Sequence, residues 1–140
     1  MPFARAMLAA LLAIGPAATA AAAPFDGSKP FTCAVIDVAS CAPGSDCTRD
    51  SAAADNLPQF LTIDVQQRRI AGERPDGEAL STTIDQVGQA NDLLVLEGIQ
   101  DELSWTLNIG RSNGRMSLAA IGDQVGFVVF GACILPPAEP

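Results

Sequence analysis

The chain has 140 residues, with 8 basic and 16 acidic side chains, no histidine and no tyrosine, for a formal charge of −8. One ordinary domain fits that length. The charge argues against a nucleic-acid partner, which needs clustered Lys and Arg, and the missing histidine removes the commonest general base and zinc ligand.

Arg5 opens a short positive region, and residues 6–14 (AMLAALLAI) form an apolar run that Gly15-Pro16 breaks. Small residues follow at 17–23. This is the layout of a secretory signal peptide spanning residues 1–23, with cleavage between Ala20 and Ala23. A membrane-spanning helix needs about 20 apolar residues, so no such span is expected. From Pro24 onward the chain carries 7 basic and 16 acidic residues, a net charge of −9. Its apolar content there falls to about 43%, ordinary for a globular domain. Residues 24–140 are read as one β domain, exported to the periplasm or secreted.

After a polar lead-in at 24–30, residues 31–38 (FTCAVIDV) are β-branched and apolar, a predicted strand. Residues 39–57 read as a long loop, with one helical turn at 51–54. Residues 58–65 form a second strand with Leu61, Ile63 and Val65 on one face. Short strands are expected at 68–71 and, edge-like, at 80–87, separated by the turn Pro75-Asp76-Gly77. Residues 93–99 (LLVLEGI) have the composition of a buried strand. Next comes the clearest alternation in the chain, Leu103, Trp105, Leu107 and Ile109 against Ser104, Thr106 and Asn108. Asn113-Gly114 is the preferred pair for a type I′ turn, which would set Ile109 opposite Leu118 and Leu107 opposite Ala120. The run 125–134 (VGFVVFGACI) closes the domain, with Gly126 and Gly131 at bends or close backbone approaches. Seven or eight short strands without helical periodicity predict an all-β antiparallel meander, closed as a small barrel or packed as a sandwich.

Four cysteines behind a signal peptide read as two disulfides. Cys41 and Cys47 enclose the turn Pro43-Gly44, while Cys33 and Cys133 lie in the first and last strong strands. The favoured pairing is therefore Cys33–Cys133 with Cys41–Cys47, against the rival Cys33–Cys47 with Cys41–Cys133. The spacings hold no CxxC pair and fit no zinc site.

Motifs for nucleophilic, nucleotide or metalloprotease chemistry are lacking, so no catalytic residue, cofactor or metal is assigned. Asp37, Asp64 and Glu97, in or beside strands, are the only candidate set for carboxylate hydrolysis. The loop from Gly44 to Asp50, with Asp55, offers oxygens to calcium but lacks EF-hand spacing. For ligand binding the candidates are Trp105, on the strand alternation, and Arg111 and Arg115, flanking the Asn-Gly turn.

Phe31-Thr-Cys33, Cys41, Cys47, Leu57-Pro58, Trp105-x-Leu-x-Ile, Gly114-Arg-Met116 and the closing Phe-Gly-Ala-Cys133 form a layout. It resembles that of a group of uncharacterised small exported four-cysteine proteins of proteobacteria. The resemblance implies a periplasmic address and a compact disulfide-bonded domain, and it assigns no catalytic residue. Phe31-Thr-Cys33 is also similar to the opening of the periplasmic C-type lysozyme inhibitors. Those carry tyrosine-rich strands and an inhibitory Ser/Lys loop, whereas this chain has no Tyr and a single Lys, Lys29.

The expectation is thus a monomeric, non-catalytic binding or interaction module for an unknown protein or small ligand. An inhibitor or envelope-stress protein acting on a cationic partner such as lysozyme is the alternative, since a net charge of −9 speeds such an encounter. A carboxylate-based hydrolase comes third.

Overall fold

The computed structural model describes residues 20–138; most of the expected signal segment, residues 1–19, lies outside the described residues. Ten antiparallel strands follow in chain order: β1 (Phe31–Cys41), β2 (Thr48–Asp50), β3 (Phe60–Asp64), β4 (Arg69–Glu73), β5 (Ala79–Thr83), β6 (Gln86–Ala90), β7 (Leu93–Gln100), β8 (Leu103–Gly110), β9 (Arg115–Ile121) and β10 (Gly126–Ile134). No helix occurs among the described residues. The strands form one sheet in the order β5-β4-β3-β1-β10-β9-β8-β7-β6, with β2 pairing a second stretch of β1.

The two ends of that order, β5 and β6, are neighbours in sequence, so the sheet must curl for the chain to pass between them. The expected single edge strand at 80–87 is instead two strands, broken at Ile84-Asp85. The Ile84 N–H donates to Arg68 O at 3.0 Å, while the Asp85 N–H donates to Glu97 O at 2.8 Å. Successive amides point to opposite sides of a strand, so this link is bonded to both rims of the curl. The result is a half-barrel. This break and the short exposed β2, which has no apolar residue to betray it, raise the strand count to ten.

Alternation places the core on the concave face. Ile63, Ile84, Leu94, Leu96, Leu107 and Ile109 are fully buried, and no polar or charged residue is buried among the described residues. β1 breaks its own alternation at a bulge: Val35 pairs Gly131 and Asp37 pairs Phe130, leaving Ile36 as the extra residue. The bulge shifts the phase by one. Val38 consequently enters the core, and Asp37 turns toward Arg49 on β2, with which it forms an ion pair.

The β8–β9 turn differs from the type I′ expectation. Residues 111–114 form a longer loop, closed by the Gly114 N–H on Gly110 O at 2.8 Å. Only Gly114 takes a positive φ (68°), whereas type I′ needs two such residues. Asn113 spends its carbonyl oxygen on the Arg115 N–H, 2.9 Å away. The register therefore moves by two residues, with Ile109 opposite Met116, Leu107 opposite Leu118 and Trp105 opposite Ala120. A shift of two preserves the face, so the predicted core stripe of β8 stands.

One end of the half-barrel is plugged. Phe25, from the supposed polar lead-in, is 8% exposed and packs edge-on against Phe31 with ring centroids 5.5 Å apart. Its N–H donates to Arg111 O at 3.0 Å, which fixes the segment across the turn. At 51–54 the expected helical turn is a set of non-helical turns, and Ala52 from it is buried in the core.

Both favoured disulfides are present, Cys33–Cys133 and Cys41–Cys47. Cys33 and Cys133 are directly opposed on β1 and β10. The Cys133 N–H donates away from β1, to Gly114 O, so the pair is of the non-hydrogen-bonded kind that brings side chains closest. Cys41 and Cys47 continue the β1–β2 register one step beyond Ser40 and Thr48. Disulfides of this kind belong to an oxidising compartment, outside the cytoplasm. No helix of the described residues is long and apolar enough to cross a membrane.

In the chain-entropy model, closing the 100-residue separation stabilises by about 4–5 kcal/mol and closing the six-residue one by about 2. Cys133→Ser is therefore expected to lower the urea midpoint clearly more than Cys41→Ser. Equal losses would contradict this ranking.

Candidate functional site

Antiparallel pairing sorts the connections onto two ends. The turn after β3, the β6–β7 turn and the β8–β9 loop share the end plugged by Phe25. The β1–β2, β4–β5, β7–β8 and β9–β10 loops lie at the other, which has no such plug among the described residues.

At that open end the curl leaves a cavity of about 140 Å³. Trp105, Leu61, Ile70, Val35 and Val129 line its depth, and the half-buried Leu57, Leu80, Leu103 and Leu118 surround its opening. Its accessible wall is wholly apolar. Only two polar residues, Thr82 and Gln100, are among those lining it.

Trp105 is 6% exposed and is held from β5 and from β7. Its Nε1–H donates to Thr82 Oγ1 at 3.3 Å, across the seam between β8 and β5. Thr82 Oγ1 in turn lies 3.5 Å from Ile99 O on β7, the oxygen to which it donates. Gly98 is its direct partner on β7, where a Cβ would stand 2.4 Å from Trp105 Cζ2 and 2.5 Å from Thr83 O. Glycine is required there because the indole and the β5 backbone occupy the space that any side chain would fill. With its polar edge satisfied, the indole offers the cavity only its apolar ring.

The roof comes from residues 51–59. The Leu57 N–H donates to Ala52 O at 2.8 Å, and the Val35 N–H to Gln59 O at 2.9 Å. The Gln59 side chain donates back to Val35 O. The Asn56 side chain reaches the β4–β5 loop, donating to Asp76 Oδ2 at 3.0 Å. Asp76 also accepts the Glu78 N–H at 2.9 Å. These two bonds, first the backbone one and then Asn56, hold the Asp76 carboxyl below its usual pKa of 3.8, and Arg74 adds to the effect.

The sequence candidates are not brought together. Trp105 lines the cavity, but Arg111 lies six residues further along the chain, about 20 Å away at strand rise, at the plugged end. Arg111 is half-buried beside Phe25 and Asp26, and its charge adds to the lowering of the Asp26 pKa, which the hydrogen bonds to Ser28 chiefly cause. Arg115 is exposed at the start of β9. Asp37, Asp64 and Glu97 also stay apart: Asp37 pairs with Arg49, Asp64 accepts the Gln67 N–H at 3.0 Å, and Glu97 is exposed on β7. No group of three or more acidic or cysteine side chains gathers as a metal site among the described residues. Gly98 and Leu57-Pro58 also form the site, although neither stands out as site-forming in the sequence. A lone glycine inside an apolar strand, predicted to mark a close approach, was the available signal for the first.

Comparison with family models, with curated proteins and with solved structures finds no match to this chain.

Two outcomes are expected. Gly98→Ala should destabilise by about 1–3 kcal/mol through overpacking and shift the emission of Trp105, the only tryptophan. Unchanged stability and spectrum would contradict the packing described. Because its folded pKa is depressed, Asp76 stabilises the loop tie at neutral pH and loses that contribution as pH falls through the folded value, below 3.8. Protection of the Leu57 amide from exchange, relative to its intrinsic rate, should then fall in that acid range in the wild type, and the fall should be absent in Asp76→Asn.

Proposed function

We propose that the protein is an exported, periplasmic, non-catalytic binding module that takes an apolar group into the cavity beside Trp105. One observation carries the reading: a cavity of about 140 Å³ with a wholly apolar wall, at the unplugged end of the half-barrel. Apolar cavities near 150 Å³ stay dry and bind benzene or xenon, so the size suits one aromatic ring or a short alkyl chain. Burial of the ring's surface supplies the affinity, at about 25 cal/mol per Å² before the costs of association.

Trp105 reports on binding directly, since the chain has no other Trp and no Tyr. Titration with benzyl alcohol is expected to give a saturable change in Trp105 emission. Ala120→Leu, which extends a side chain from the cavity wall, is expected to abolish that change while the protein stays folded by circular dichroism. A linear, unsaturable response in the wild type, or equal binding in the filled variant, would overturn the proposal.

A further inference from the structure

The charges are not spread evenly between the two ends. The loops around the open end carry Asp46, Asp55, Asp76, Glu78, Asp101, Glu102 and Asp123, seven carboxylates, against a single guanidinium, Arg74. Arg74 is itself 3.4 Å from Glu78 in an ion pair. The turns and N-terminal segment at the plugged end carry only Asp26 and Asp92, against Lys29, Arg68 and Arg111. The loops of the end where the apolar cavity lies are therefore net negative, and those of the plugged end are not.

Such an arrangement has a chemical consequence. Carboxylates gathered at the end of the fold that holds a low-dielectric cavity give that end a negative potential. The cavity accepts only an apolar group, because nothing in its wall solvates a charge. A ligand matching both features has an apolar group that enters and a positive charge that stays among the carboxylates. We propose that the occupant is a small organic cation, an ammonium bearing one aromatic ring or a short alkyl chain. This rests on the binding reading above and adds to it the charge of the ligand.

Three probes of one shape separate the two claims: benzylammonium, benzyl alcohol and benzoate, each titrated against Trp105 emission at neutral pH. Benzylammonium is expected to bind about tenfold more tightly than benzyl alcohol, and benzoate more weakly than either. The advantage should shrink in about 1 M salt, where the screening length is about 3 Å. Asp101→Asn, Glu102→Gln and Asp123→Asn together, all at exposed positions, should bring benzylammonium about fivefold closer to benzyl alcohol. Equal affinities for all three probes would overturn the charge inference and leave the cavity reading standing. Failure of all three to bind would overturn both.

Discussion

The passage of the chain through Ile84-Asp85 is the constraint on which the rest of the structure depends. One amide bonds back toward the β3–β4 turn and the next bonds forward to β7. Ile84 itself is fully buried between them. A sheet whose first and last strands are joined by two residues cannot lie flat. Its curl gives the sheet a concave face on which apolar side chains are buried, while Ile36, Ile99 and Phe130 stay exposed, and right-handed strand twist favours the same closure. The cavity beside Trp105 is what remains at one end after those side chains have packed. Phe25 fills the equivalent space at the other.

The same seam explains why Trp105 and Gly98 occur together. Where β5 leans against β7, the backbone oxygen of Thr83 and the indole ring both press on Gly98. A tryptophan there spans β8, β7 and β5 with one side chain, and its N–H is satisfied on the far strand rather than in the cavity. The bond from Trp105 to Thr82 thus ties the fold's closure to the chemistry of the site.

Much of the fold was legible in the sequence because its signals were local. The alternation from Leu103 to Ile109, the apolar run at β10 and the cysteines in the first and last strong strands each name an element and its inner face. What escaped were long-range effects. Nothing in residues 80–87 reveals that a single extended run pairs with two different neighbours, since both halves have strand-like residues. Asn113-Gly114 pointed to a two-residue turn, but Asn113 found a better use for its side chain on the Arg115 amide. Phe25 looked like part of a polar leader because its partners, Phe31 and Gly114, lie far apart in the chain.

For the site, Trp105 was visible as a candidate, whereas its surroundings were not. Cavities arise from strands that meet only after folding, so Leu57, Leu80 and Leu118 carried no mark of shared position. The acidity was evident from composition, but its gathering at one end depends on which loops share that end. The proposed function requires the space beside Trp105 to be dry, apolar and able to hold a ligand. Crystals of the protein under xenon pressure test it most directly. One ordered xenon among Trp105, Leu61, Ile70 and Val129 is the predicted result; a chain of ordered waters there, or side chains collapsed into the space, would contradict it.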